Sequence, residues 1–210
     1  MSSTDYKHRF LEACLGYGAL KFGEFTLKSG RVSPYFFNAG AFNDGAAFDL
    51  LGECYARAIE GMDFDGLFGP AYKGIPLGTA LAVSLARGGR NVPVTFNRKE
   101  AKDHGEGGIL MGAEPQGRML LVDDVITAGT AVREAMQQLS QVTVAGLVVA
   151  LDRQERGQGA TSAIQELRAE GIDVRTIVTL DDVLEFARAT QSPEQIRAIE
   201  LYRQEYGVTD

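Results

Sequence analysis

The chain has 210 residues, 45% hydrophobic and 23% charged, which suits one folded domain with a full core. A formal charge of −7 excludes a broad basic surface and argues against nucleic acid as a partner. No apolar run approaches membrane-spanning length, and the opening Met-Ser-Ser-Thr-Asp-Tyr-Lys-His has no apolar signal core, so no membrane association and a cytoplasmic location are expected. Cys14 and Cys54 lack metal-ligand spacing and read as reduced, buried or half-buried thiols.

In chain order, an amphipathic helix fits residues 5–17, with Phe10, Leu11 and Cys14 on one face. Residues 24–38 alternate apolar and polar around Ser29-Gly30, the pattern of a hairpin. A helix at 44–61 follows. Strands are then expected at 65–69, 92–97, 118–123, 143–151 and 173–179, and helices at 74–87, 131–140, 160–170, 181–188 and 193–206. This alternation predicts an α/β fold with a mostly parallel central sheet covered by helices on both faces. Residues 1–40 precede the repeating units and would form most of a small helix/hairpin hood on a single domain spanning 1–210.

Residues 98–117 show little apolar periodicity and are too many for a routine connection. The stretch 97–108 holds Arg98, Lys99, Lys102 and His104, together with Gly105, Gly107 and Gly108. A solvated charge run is the bland reading. A mobile catalytic loop over 97–117, closing on an anion, is the functional one.

The most informative segment is 120–131, Leu-Leu-Val-Asp-Asp-Val-Ile-Thr-Ala-Gly-Thr-Ala. A buried strand delivers Asp123 and Asp124 to its C-terminal end, where open α/β sheets bind ligands. Thr127, Ala128, Gly129, Thr130 and Ala131 then open a helix, whose unpaired N–H groups favour an anion and whose small side chains let it come close. Helix capping alone would need one Asp, Ser or Thr, not two acids, two threonines and a glycine in eight residues. Neither a G-x-G-x-x-G nor a G-x-x-x-x-G-K-[ST] cradle occurs in the chain.

The 120–131 string closely resembles the phosphoribosyl diphosphate (PRPP) motif of the type I phosphoribosyltransferases. The resemblance implies that fold, with Asp123 and Asp124 beside the ribose hydroxyls and Val125, Ile126, Thr127, Ala128, Gly129, Thr130 and Ala131 around the 5-phosphate. It makes Phe68-Gly69-Pro70-Ala71-Tyr72-Lys73-Gly74-Ile75-Pro76, otherwise an ordinary strand-to-helix loop punctuated by Gly and Pro, the diphosphate loop, with Tyr72 and Lys73 at PRPP, and brings Lys28, Arg98, Lys99, Lys102 and His104 to the same ligand. Mg²⁺ is implied as cofactor, held mainly by substrate and water near Asp123 and Asp124 rather than by a dedicated ligand set.

The hairpin, Phe25-Thr26-Leu27-Lys28-Ser29-Gly30-Arg31 followed by Ser33-Pro34-Tyr35-Phe36-Phe37-Asn38, is similar to the N-terminal signature of the orotate phosphoribosyltransferases. That likeness implies transfer of phosphoribose from PRPP to orotate in pyrimidine synthesis, by a homodimer whose loop acts in trans. Phe36 and Phe37 would floor the base, Thr127 and Arg153 would contact it, and Lys28, Lys102, His104 and Asp124 would form the catalytic set. As bland alternatives, Phe36 and Phe37 are plain core residues, Lys28 and Arg31 are exposed turn charges, and Arg156 pairs with Glu155 or a helix residue. A phosphoribosyltransferase for another base and a PRPP-sensing regulatory module are the rival functions. The tight passage at Ser140–Val144 is the one departure from the pattern, away from every motif.

Overall fold

The computed structural model describes residues 3–27, 29–102, 108–126, 129–157 and 159–208. Helix α1 (Ser3–Gly16) leads into an antiparallel pair, β1 (Leu20–Thr26) and β2 (Val32–Phe37), and then into α2 (Gly45–Ala58). The hairpin therefore starts four residues earlier than its alternation suggested. The main sheet is built from β3 (Gly66–Gly69), β4 (Val94–Lys102), β5 (Gly108–Gly112), β6 (Arg118–Val125), β7 (Thr143–Asp152) and β8 (Asp173–Thr179), in the order β5-β4-β3-β6-β7-β8. All of its pairings are parallel except β4 with β5. The remaining helices are α3 (Gly74–Arg87), α4 (Thr130–Gln138), α5 (Ala163–Ala169), α6 (Leu180–Thr190) and α7 (Pro193–Tyr206).

Strand alternation sorts the core onto two faces. Leu120, Val122, Val148, Ala150 and Ile177 point into a large cluster with α1, α2, α3, α6 and α7, whereas Met119, Leu121, Leu147, Val149 and Val174 meet α4 and α5. Both faces are dry because helices cover both, as a parallel sheet requires. Phe10, Leu11 and Cys14 of α1 are buried as expected, and both cysteines are free thiols. Helix α1 touches α2, α6 and the edge strand β8, placing the N-terminal region against one flank of the sheet.

One expected element changes. The stretch from Arg98 to Gly117 is not an irregular connection throughout, because β4 continues to Lys102 and β5 returns alongside it, pairing Thr95 with Gly112 and Asn97 with Leu110. Beyond Asn97 strand β4 is charged, and β5 is a short Gly-Ile-Leu-Met-Gly run at the sheet's edge, so neither carries an apolar alternation that would mark it as a strand.

The fold has its functional break between β3 and β6. Crossovers from β3 run outward through α3 to β4, and those from β6 run the other way through α4 to β7, so the two loops diverge and leave a crevice at the strand ends. The crevice depends on tight approach of α3 to the sheet at Gly74. A Cβ there would lie 2.5 Å from Pro70 Cδ and 2.7 Å from the Val122 carbonyl oxygen. Backbone cannot yield as a side-chain tip does. Gly74→Ala is therefore expected to cost about 1–3 kcal/mol and to lower Tm by at least about 2–4 °C; an unchanged melting curve would show that α3 does not press on β6.

Candidate active site

Strand β6 is buried through Val122, then presents Asp123 and Asp124 at the mouth of the crevice. Successive strand residues face opposite ways, so the two acids do different work. Asp124 points toward the β3–α3 loop, where Lys73 Nζ donates to its Oδ2 at 2.6 Å. Asp123 Oδ1 accepts the Asp124 backbone N–H at 2.8 Å, and its own carbonyl accepts the Tyr55 hydroxyl at 2.8 Å. Asp123 also lines a cavity of about 220 Å³ with Val125, Ile126, Gly129, Thr130, Ala131 and Val132. The cavity thus joins the Asp123 carboxylate to a helix N-terminus.

That terminus is prepared for an anion. Gly129, the N-cap of α4, has φ of +71° and supplies no side-chain cap, so the first N–H groups of the helix keep their bonding capacity. Asp44, Ser162, Thr179 and Ser192 close α2, α5, α6 and α7 with their side chains, whereas α3, which starts at the same crevice behind Lys73, is left without a side-chain cap as α4 is. Thr127 and Ala128 lie outside the described residues, as do Lys28 and His104; the side chain of Lys102 is likewise outside them.

On the β3 side the loop Pro70–Lys73 carries a cis peptide between Ala71 and Tyr72. The Ala71 N–H donates to Asn97 Oδ1 at 2.6 Å, and Asn97 Nδ2 donates to Gln138 Oε1 of α4 at 2.9 Å. Asn97 thereby ties the loop, β4 and α4 together. It stands at the head of the charged stretch, where an amide in a polar run carries no signal of its partners. Tyr72 is exposed, with Lys99 Nζ 5.1 Å from its ring centroid. Arg98 and Lys99 lie on β4, one strand over from this loop.

The third wall is the end of β7. Arg153 is buried there, its Nε donating to Glu155 Oε1 at 2.8 Å and its Nη2 to Ser33 Oγ at 3.0 Å, with its Cζ 4.3 Å above the Tyr35 ring. The carboxylate it grips is therefore internal. Glu155 goes to Arg153, with Arg31 3.8 Å away, and Arg156 instead lies over Tyr206 of α7 at 5.8 Å. Arg31 is no exposed turn charge either. Its guanidinium donates to the carbonyls of Arg156 and Gly157 at 2.9 and 3.1 Å, clamping the hairpin to this loop.

The paired aromatics part company. Phe37 is 8% exposed and packs against Phe10, so it belongs to the core and cannot share a floor with its neighbour. Phe36, 38% exposed, faces the other way and stacks on Phe25 at 5.5 Å between centroids. Strand alternation separates any two adjacent side chains in this manner.

Comparison with known proteins names the arrangement. The model of the phosphoribosyl transferase domain matches residues 46–158. An orotate phosphoribosyltransferase from Cronobacter sakazakii is 57% identical, with 97% of this chain and 99% of the relative covered. One from Thiobacillus denitrificans is 54% identical, with 98% and 100% covered. The chain belongs to the orotate phosphoribosyltransferase family. Among solved structures, the orotate phosphoribosyltransferase of Francisella tularensis superposes with a TM-score of 0.85 at 40% identity, covering 95% of this chain and 99% of that one. The type I phosphoribosyltransferase fold is thereby established for this member of the orotate phosphoribosyltransferases.

Burial, then the neighbouring Asp124 charge, pushes the Asp123 carboxyl up from 3.8 to about 7. Between those values the folded chain holds a proton that the unfolded chain has released, so stability falls as pH rises from about 4 toward 7. Asp123→Asn removes the ionisation. It is expected to melt above the wild type at pH 8 by on the order of 5 °C and to lose that advantage by pH 4; a gap independent of pH would mean that Asp123 titrates normally.

Proposed function

We infer that the chain transfers the phosphoribosyl group of PRPP to orotate, breaking the bond from C1 to the diphosphate oxygen and forming one from C1 to the base nitrogen. Orotidine 5′-phosphate and diphosphate are the products, in pyrimidine nucleotide synthesis. The observation that carries this reading is near-full-length identity of 54–57% to orotate phosphoribosyltransferases, in a chain whose crevice joins an anion cavity to an acid pair. A cytoplasmic location belongs to the same reading.

In this account the 5-phosphate of PRPP occupies the cavity at Gly129–Ala131, hydrogen-bonded by the open amides of α4. The ribose diol donates to Asp123, and Asp124 braces Lys73 from beneath. Tyr72, Lys73, Arg98 and Lys99 then face the diphosphate. Lys73 must share its charge between Asp124 and the ligand, which holds the cation in place before substrate arrives. Lys28, Lys102 and His104 complete the anion's surroundings. As C1 becomes cationic, negative charge grows on the leaving group, and the cations are placed to stabilise that change. Exclusion of water by the 97–117 segment protects the oxocarbenium-like carbon. Positioning and charge stabilisation carry the rate, with no covalent enzyme intermediate.

Mg²⁺ fits this site as a companion of the substrate. Among the described residues no cluster of three or more acidic, histidine or cysteine side chains could hold a metal, and Asp124 is already engaged by Lys73. The ion would rest on diphosphate oxygens and water beside Asp123 and Asp124, where it neutralises charge on the leaving group.

The direct test is product formation from PRPP and Mg²⁺ with orotate, uracil, adenine and hypoxanthine in separate assays. Orotate should be turned over far ahead of the others; preference for another base would end this reading. We also propose a homodimer in which the loop serves the neighbouring subunit. Lys102→Ala should reduce kcat by about 100-fold while PRPP binding changes little, because its partner charge develops only as the bond breaks. Mixing Lys102→Ala subunits with Asp124→Asn subunits should restore part of the activity. Unchanged turnover would remove Lys102 from the reaction, and no recovery on mixing would place the loop in cis.

A further inference from the structure

The reaction leaves Glu155, a largely covered acid beside Arg153, without a part. Glu155 is 12% exposed in its side chain and both carboxylate oxygens are engaged. Oε1 accepts from Arg153 Nε at 2.8 Å and from the Tyr35 hydroxyl at 3.3 Å, with Arg153 Nη2 also 2.7 Å away. Oε2 accepts the Tyr202 hydroxyl of α7 at 3.1 Å and lies 3.8 Å from Arg31 Nη1. So much bonding around one carboxylate fixes its position closely, since any rotation sacrifices several charge-assisted contacts at once.

The backbone is held as firmly as the side chain. Gln154 adopts φ of +49°, a left-handed conformation that costs a non-glycine residue energy and persists only when its surroundings enforce it. Its surroundings do so on every side. The Gln154 side chain exchanges hydrogen bonds with Asp181 at 3.0 and 3.1 Å, and its carbonyl accepts the Val208 N–H at 2.8 Å. Arg156 N–H donates to the Tyr206 carbonyl at 2.9 Å, and Glu155 bridges to Gly207. A strained turn pinned by α6 and by the C-terminal end of α7 lies between Arg153 and Glu155.

Counting donors shows what this machinery leaves over. A guanidinium has N–H groups on Nε, Nη1 and Nη2. Nε goes to Glu155, Nη2 goes to Glu155 and Ser33, and one face of the group is covered by Tyr35. The Tyr202 hydroxyl also reaches the guanidinium, and the contacts at Nε and Nη2 leave Nη1 unused by Glu155 and Ser33. Arg153 is thus held by two of its nitrogens and keeps the third for something else.

We propose that Glu155 is the positioning residue of the base pocket: it fixes the Arg153 guanidinium so that Nη1 is presented to the carboxylate of the anionic base. The charge balance suits that task, since Arg153 and Arg31 share one carboxylate and leave a net positive charge for an anionic ligand. Neutral bases gain nothing from it. Tyr35 and Tyr202 act on the same carboxylate from opposite elements, making β2 and α7 indirect parts of substrate selection. This inference rests on the reading that Arg153 meets the orotate carboxylate.

The experiment is a double-mutant cycle on the full chain, with KM for orotate and for PRPP measured in Glu155→Gln, Arg153→Ala and the double variant. Glu155→Gln is expected to raise KM for orotate about tenfold or more while KM for PRPP moves less than about twofold. In the Arg153→Ala background the same change should add less than about twofold, because it acts only through Arg153. A merely structural role would lower the active fraction and leave KM for orotate where it was. An unchanged KM for orotate, or a full additional effect without Arg153, would overturn the proposal. Should Arg153→Ala itself leave KM for orotate unchanged, the base-contact reading fails and takes the proposal with it. Tyr202→Phe removes one hydroxyl from Oε2 without disturbing charge and serves if Glu155→Gln does not fold. It should shift KM for orotate the same way by about two- to fivefold, again only with Arg153 present, and no shift would count against the proposal.

Discussion

The ion pair between Lys73 and Asp124 is the constraint on which the crevice depends, because it spans the gap between two loops that the topology drives apart. β3 and β6 are neighbours whose connections leave in opposite directions, so nothing in the sheet itself fixes the distance between their C-terminal loops. A 2.6 Å contact from the tip of one to the end of the other does. Asp124 is the buried partner and Lys73 the half-exposed one, so losing Lys73 would leave a buried carboxylate uncompensated. Asn97 adds a second tie on the neutral side, from the same loop to α4. With both in place, a cation, a carboxylate and a helix N-terminus meet in a fixed geometry before any ligand binds.

The base side of the site obeys the same logic with different parts. The hairpin has little core of its own and is fastened to the β7 loop by Arg31, Ser33 and Tyr35, all of which reach residues 153–157. Helix α7 closes the arrangement from behind through Tyr202 and Tyr206. A chain with net charge of −7 can serve two anionic substrates because Lys73, Arg31 and Arg153 are held beside the crevice by Asp124, by backbone carbonyls and by Glu155.

Much of this was legible in residue order. Periods of 3.6 and 2 located the helices and buried strands to within a few residues, since a two-faced α/β sheet leaves strong apolar signals. The acid pair and the small, hydroxyl-rich turn stood out because phosphate binding demands unusual residue types in close succession. What escaped detection was of another kind. The β4–β5 ribbon lies at the sheet's edge, where β4 turns charged and β5 is too short to show a period. The likeness of the hairpin points to Phe36 and Phe37 together, although neighbours in a strand face opposite ways. Arg31 and Glu155 reach partners 120 residues or more away, and a single charge gives no hint of its partner's position.

The account stands or falls on where the phosphate of the sugar lies. A crystal structure with PRPP bound measures it directly. The 5-phosphate is expected within hydrogen-bonding distance of the amides at the start of α4, in the cavity lined by Gly129, Thr130 and Ala131, with the ribose hydroxyls at Asp123. A 5-phosphate bound anywhere else, with that cavity left to water, would contradict it.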